Sequence, residues 1–93
     1  MLSKIPIKLE DIEAENIDKE ILRAGIIAEY DAINLYEQMA ALARNKDIKK
    51  VLLDIAKEEK EHVGEFQTLL LRIDKQQVEE MEQGKKEVEE LVG

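Results

Sequence analysis

The chain has 93 residues and a formal net charge of −8, so it is one domain at most, and nucleic acid or an anionic membrane surface is not expected as a partner. It contains no cysteine, which excludes a disulfide scaffold, a thiolate zinc site and a cysteine nucleophile. No apolar run approaches the ~18 residues of a transmembrane helix, and the N-terminal segment lacks the apolar core of a signal peptide. We therefore expect a cytoplasmic protein.

The composition favours long helices, since only 3% of the residues are aromatic and there is one proline. Residues 1–16 are predicted to form an irregular N-terminal arm, and residues 17–93 a helical domain. The first helix is predicted over 19–44, with Asp18 as its N-cap. Its one helix-weakening residue is Gly25, which an interior position tolerates at some cost.

A short polar connection separates the first helix from a second of similar length. The turn is predicted at residues 45–47, with Asp47 capping a helix over 48–73. Two helices of about 26 residues, or roughly 39 Å, joined by three residues form an antiparallel hairpin. Asp74 is predicted to start a third, shorter helix in which Gly84 is a candidate break. The predicted fold class is all-α.

Three polar residues interrupt the otherwise apolar stripes of the two long helices. Glu29 occupies a core position in the first helix, and Glu59 and His62 occupy core positions in the second. In an antiparallel hairpin Glu29 and His62 lie at equal distances from the turn, and Glu59 lies one turn from His62 on the same face. The three side chains are therefore predicted to converge at one level of an apolar seam.

Buried carboxylates need a neutralising partner, because leaving one unpaired costs several kcal/mol. By helical phase Arg23, Lys57 and Lys60 point to other faces, so a metal cation is the simplest partner. A Glu together with Glu-x-x-His offers hard oxygen ligands and an imidazole, a set that suits iron or manganese better than structural zinc or calcium. The alternative is a hydrogen-bonded core histidine in a glutamate-rich chain, but the shared phase and level favour metal binding.

Other polar residues lie near this group in the sequence, but their helical phase fits the apolar stripe less well. Glu58 and Glu61 are predicted to be solvated, and Glu65 is a weaker candidate ligand at the edge of the site. Tyr36 lies two turns from Glu29 on the same face. We expect it to pack in the core with its hydroxyl bonded to a ligand carboxylate, a redox role being the alternative.

One hairpin supplies only half of a metal site. Its three ligands leave a metal undersaturated and its apolar stripe uncovered. Two hairpins related by a two-fold axis would form a four-helix bundle that brings together two copies each of Glu29, Glu59 and His62. Ferritin-like di-metal carboxylate proteins use this constellation, and isologous pairing is the commonest symmetry.

The sequence resembles the core of the encapsulated ferritins over about residues 18–91, including the segment EILRAGIIAEYDAINLYEQMAALARNKDIKKVLLDIAKEEKEHVGEFQTLLL. That ferritin-like family builds a ferroxidase site from two-helix protomers across a dimer interface. Its members associate into rings of dimers, typically decamers, and work inside encapsulin shells.

The resemblance implies that two iron ions per dimer are oxidised by dioxygen for iron storage, in the cytoplasm within an encapsulin nanocompartment. The spacing of Glu29, Glu59 and His62 fits the ligand spacing of that family. We expect Glu59 to bridge the irons, with Glu29 and His62 as terminal ligands. Tyr36 falls on the tyrosine beside the site.

The chain departs from the family pattern near the point where metal enters. Ala28 and Leu35 replace an acid and an aromatic residue of other members, and Asp31 is the candidate for that role. No recognisable shell-targeting peptide follows residue 91. Fusion to a shell protein, a shortened chain and another mode of targeting all stay open.

Two other functions stay open as alternatives. One is a rubrerythrin-like protein that scavenges peroxide or oxygen, which would normally need a rubredoxin-type cysteine site or an external electron donor. The other is a structural helical oligomer that binds no metal.

Overall fold

The computed structural model describes residues 16–93, and this part of the chain forms three α-helices. They are α1 (Ile17–Leu42), α2 (Lys46–Ile73) and α3 (Lys75–Val92). Helices α1 and α2 pack side by side as a hairpin, whereas α3 contacts only α2. The predicted all-α class, the hairpin and the short third helix are confirmed.

The first helix begins earlier than predicted. Asn16 occupies the N-cap position, without a capping hydrogen bond from its side chain, and Asp18 lies inside the first turn. The prediction that Asp18 is the N-cap was therefore wrong. Its carboxylate still favours the helix, because negative charge is stabilising near a helix N-terminus. The predicted arm lies outside the described residues apart from Asn16, and its boundary stays a prediction.

The N-terminus of α2 is capped by Asn45 and not by Asp47. The Asn45 side-chain oxygen accepts hydrogen bonds from the backbone N–H groups of Asp47 and Ile48, at 2.9 and 3.0 Å. Asp47 lies in the first turn of α2. The connection has three residues, as predicted, but it lies at residues 43–45 and not at 45–47, so the predicted cap was two residues too late. An Asn at this position satisfies two N–H groups that lack helical partners.

Asp74 is the single residue between α2 and α3, and the prediction that it starts the third helix is confirmed. Its N–H donates to the Leu70 carbonyl at 2.9 Å, and its carboxylate accepts from the Gln77 N–H at 3.1 Å. Gly84 does not break α3, which continues to Val92. An interior glycine costs a helix only about 1 kcal/mol, which the surrounding turns can absorb.

The contact between α1 and α2 relies on small side chains, which let the two helices approach closely. A Cβ added to Gly25 would lie 3.2 to 3.4 Å from three ring carbons of Phe66, so the absent side chain makes room for the ring. The buried apolar residues are Ala24, Ala32, Ile33, Ala40, Ala56, Val63 and Leu70.

Much of the apolar surface of this hairpin is not covered by the described residues. The apolar face of each long helix is wider than the strip that the other helix covers, so large side chains at its edges face solvent. Among them are Ile21, Ile27, Tyr30 and Met39 on α1 and Ile48, Val51, Leu53, Leu69 and Ile73 on α2. Exposed apolar surface of this extent is typical of an interaction face. None of the three described helices has the length and apolar content needed to cross a lipid bilayer.

Candidate metal centre

The hairpin brings Glu29, Glu59 and His62 together from two different helices. One potential ligand atom from each residue lies within 4.8 Å of the others, a spacing that could hold a metal ion. The antiparallel packing places Glu29 of α1 opposite the Glu-x-x-His segment of α2, since that segment presents both of its side chains on one helix face. The predicted convergence of these three residues is what the structure shows.

One nitrogen of the imidazole faces both carboxylates. His62 Nδ1 lies 3.4 Å from Oε2 of Glu29 and 3.4 Å from Oε2 of Glu59. Both contacts are longer than the 2.7–2.9 Å of a strong charge-assisted hydrogen bond. Two oxygens and one nitrogen therefore surround a common point without closing tightly on one another.

The chemistry of this group fits a cation. The side chains of Glu29 and Glu59 are 18% and 19% exposed, and Oε2 of Glu29 is buried with no hydrogen-bond partner in the described part of the chain. A buried acceptor without a partner is costly. A hard cation bound by two carboxylate oxygens and an imidazole would satisfy that oxygen and neutralise both charges.

The nearby basic side chains lie elsewhere, as their helical phase predicts. Arg23 donates to Asp74 at 2.8 Å, and Lys60 donates to Glu37 at 2.9 Å. Lys57 lines a shallow groove on another surface of α2. Within residues 16–93, no lysine or arginine forms an ion pair with the three clustered residues.

Tyr36 lies beside the site, on the wall of a cavity of about 200 Å³. Glu29 and Glu59 line the same cavity, together with the apolar residues Ala28, Ala32 and Leu35. Among the described residues, the Tyr36 hydroxyl makes no hydrogen bond to either carboxylate, so the expected bond is absent from a single hairpin.

The weaker candidates do not join the group. Glu65 is exposed and lines a separate groove on the outer surface of α2 with Glu61 and Arg72. Asp31 lies two residues after Glu29, and such a step turns a helix by about 200°. Neither Glu65 nor Asp31 belongs to the group of three residues that could hold a metal ion.

Comparison with known proteins identifies the family to which the chain belongs. The Rubrerythrin family model matches residues 20–92. The chain belongs to the rubrerythrin family. Members of this ferritin-like family typically bind iron. Membership in this family indicates that the chain belongs to the general class of oxidoreductases.

Two relatives of the chain have names that refer to encapsulin. The chain is 60% identical over 74 residues to the Ferritin-like-encapsulin shell fusion protein of Pyrococcus furiosus, covering 80% of this chain and 21% of that protein. It is 37% identical over 75 residues to the Encapsulin nanocompartment cargo protein EncC of Myxococcus xanthus, covering 81% of this chain and 55% of that protein. The chain thus spans about a fifth and about half of the length of these relatives.

A solved structure confirms the resemblance to the encapsulated ferritins. The chain aligns over its whole length with the crystal structure of an encapsulated ferritin domain from Pyrococcus furiosus, with a TM-score of 0.80 and 49% sequence identity. The alignment covers 89% of that chain. This rubrerythrin-family chain therefore has the encapsulated-ferritin form of the ferritin-like fold.

Proposed function

We propose that the chain is a ferroxidase, which oxidises Fe(II) to Fe(III) with dioxygen at a di-iron site between two copies of the chain. The observation that carries this proposal is the group formed by Glu29, Glu59 and His62 at the centre of the hairpin. Family membership supports iron as the metal. Iron is the substrate in this proposal: two Fe(II) ions give up one electron each, dioxygen takes up both electrons and two protons to give hydrogen peroxide, and the Fe(III) ions leave for storage.

The site is proposed to be completed by a two-fold copy of the hairpin. Three ligands are too few for two ions, and the His62 side chain is 44% exposed, so one side of the site is open. Exposed apolar residues lie on the same two helices, α1 and α2, for example Met39 and Val51. The partner would cover them. Two such hairpins form a four-helix bundle with an isologous interface, and further pairing of dimers would give a ring, proposed as a decamer.

Each ligand has a proposed role in binding iron. Glu59 bridges the two ions, and Glu29 and His62 bind one ion each as terminal ligands. His62 would bind through Nδ1, because that nitrogen faces both carboxylates at 3.4 Å, leaving Nε2 to donate a hydrogen bond that fixes the ring. Carboxylates are hard ligands that stabilise the ferric state.

The remaining site residues have secondary roles in the proposal. Tyr36 lines the cavity that Glu29 and Glu59 line, where its phenol would pack beside the irons, with a redox role as the alternative. Asp31 is proposed for the point at which iron enters, and Glu65 for an edge ligand. Within one hairpin, both residues lie outside the group formed by Glu29, Glu59 and His62.

The proposed setting is an encapsulin nanocompartment in the cytoplasm, with the shell protein as a partner. Support comes from the two relatives, one of which is a fusion to an encapsulin shell and the other an encapsulin cargo protein. An enclosing shell would supply the storage space that a ring of short hairpins lacks.

A second function, scavenging of peroxide or oxygen, is supported by the match to the Rubrerythrin family. It would use the same ligands and differ in the oxidant and the electron donor. A structural oligomer without metal is the third reading, and the unpartnered buried oxygen of Glu29 argues against it.

Iron oxidation kinetics would test the proposal. Metal-free protein is mixed with Fe(II), and the loss of Fe(II) is followed separately with dioxygen and with hydrogen peroxide. We expect faster oxidation than in buffer with dioxygen, and loss of this activity in Glu29→Gln, Glu59→Gln and His62→Ala. Glu61→Gln, an exposed glutamate two residues from Glu59, is the matched control. Faster turnover of peroxide than of dioxygen would favour the scavenging function, and parent rates in all three site variants would reject the assigned site.

A further inference from the structure

The corner between α2 and α3 is built around one buried carboxylate. The Asp74 residue is only 7% exposed, and it is the one buried polar residue within residues 16–93. One of its oxygens accepts the Gln77 N–H at 3.1 Å, and the other accepts from the Arg23 guanidinium at 2.8 Å. A single side chain therefore binds the start of α3 and also reaches across to α1.

Few other contacts hold α3 in place. None of its side chains is buried, and its backbone contacts α2 but not α1. A cleft of about 360 Å³ separates it from α1, with Ile27 of α1 and Met81 of α3 among the lining residues. Packing alone is a weak determinant of the direction in which α3 leaves the hairpin.

We propose that the Arg23–Asp74 ion pair is a conformational latch that fixes the direction of α3 relative to α1. The pair is suited to this role because Asp74 is buried, and a charge-assisted bond to a buried carboxylate is stronger and more specific than one in open solvent. The Arg23 side chain is 43% exposed and that of Asp74 is 9% exposed. Removing the guanidinium would therefore leave the shielded Asp74 carboxylate without this partner, which penalises the native corner. The pKa of Asp74 is lowered by the Gln77 N–H and by the positive charges of Arg23 and Lys19, so the carboxylate stays ionised.

The latch connects two parts of the molecule that otherwise touch little. Arg23 lies six residues before Glu29 on α1, whereas α3 carries a stripe of exposed apolar residues at helical spacing, namely Val78, Met81, Val88 and Leu91. The latch sets where this stripe points. The Arg23–Asp74 pair lies outside the group formed by Glu29, Glu59 and His62, so it can be broken without changing any of those three residues. The inference therefore does not depend on the proposed ferroxidase activity.

The absence of cysteine from the chain allows a direct test by cross-linking. Cysteines introduced as Ile27→Cys and Met81→Cys line the same cleft, one on α1 and one on α3. A short bismaleimide then reports how often the two helices are in place, and a denaturing gel separates cross-links within one chain from those between chains.

Two variants open the latch in different ways. Arg23→Gln removes the guanidinium but leaves the Asp74 cap, and Asp74→Asn keeps a capping oxygen while removing the charge. The matched control is Lys60→Gln, which breaks the exposed pair with Glu37.

We expect both latch variants to lower the rate of intrachain cross-linking, by up to about threefold, with the rate unchanged in Lys60→Gln. Helix content by circular dichroism and Co(II) binding at the metal site should stay at parent levels, because α1 and α2 keep their packing. Parent cross-linking rates in both Arg23→Gln and Asp74→Asn would overturn the latch. An equal fall in Lys60→Gln would also overturn it, since the effect would then not be specific to this pair.

Discussion

His62 Nδ1 lies 3.4 Å from Glu29 Oε2 across the interface between α1 and α2. The contact joins residues of two helices that run in opposite directions, and Glu59 completes the group from the turn next to His62. Oε2 of Glu29 is buried without a hydrogen bond, so the described part of one chain does not supply all the partners that this group of side chains needs. A metal ion and a second copy of the hairpin would supply the missing partners.

Metal should promote assembly. Without metal, a two-fold interface gathers the carboxylates of two copies of Glu29 and Glu59, whose repulsion and desolvation oppose pairing. Ions that bind only the paired state stabilise it by linkage, by ~2.7 kcal/mol when free metal is 100 times its dissociation constant. Sedimentation velocity at low protein concentration, with and without anaerobic Fe(II), should show a shift to larger species with metal. A distribution unchanged by metal or chelator across a wide dilution range would mean that the apolar surfaces alone drive assembly.

The chain alone should not hold a large soluble mineral. The proposed ring of short hairpins would enclose no cavity like that of a ferritin cage, and a net charge of −8 per chain attracts iron without enclosing it. Aerobic addition of a large excess of Fe(II) should end in precipitation, measured by light scattering and electron microscopy. Clear solutions of particles with electron-dense cores would contradict this expectation.

Loss of the Asn45 cap should destabilise the hairpin. Asn45→Ala removes the acceptor for two backbone N–H groups and should lower the free energy of unfolding by about 1 kcal/mol. Asn45→Asp keeps the acceptor and should be near neutral, as measured by urea denaturation of metal-free protein at one concentration. If Asp47→Ala costs more than Asn45→Ala, Asp47 and not Asn45 is the residue that matters at this end of α2.

Acid should destabilise the α2–α3 corner through Asp74. The Gln77 N–H, and after it Arg23 and Lys19, hold the pKa of Asp74 below its ordinary value of 3.8. A folded-state pKa below the unfolded one contributes stability above the unfolded pKa, and this contribution is lost as pH falls through the folded pKa. Asp74→Asn should therefore have a lower Tm than the parent at neutral pH, and the difference should shrink below about pH 4. A difference in Tm between the two proteins that stays constant down to low pH would contradict this assignment.

Several of these features follow from the sequence, and others do not, for physical reasons. The level at which Glu29 meets His62 is predictable because a short connection fixes the register of an antiparallel hairpin, and helical phase fixes the faces. The cap at Asn45 was mispredicted because several neighbouring polar residues can all act as caps, and only the backbone path of the turn selects among them.

The Arg23–Asp74 pair lies beyond such reasoning. The two residues are 51 positions apart, and no periodicity specifies the angle between α3 and the hairpin. Helical phase indicates only that Arg23 lies on a different face from Glu29. The sequence likewise marks Gly25 only as a weak point of α1, because the ring of Phe66 that packs against it is known only from the packed structure.

Metal stoichiometry tests the central claim most directly. Metal-free protein is titrated anaerobically with Fe(II) by calorimetry, and the bound iron is measured independently by elemental analysis. We predict saturation at two Fe(II) per pair of chains, with binding lost in Glu29→Gln, Glu59→Gln and His62→Ala and retained in Glu61→Gln. Absence of saturable binding in the parent, or parent stoichiometry in the three site variants, would contradict the assignment of Glu29, Glu59 and His62 as the iron ligands.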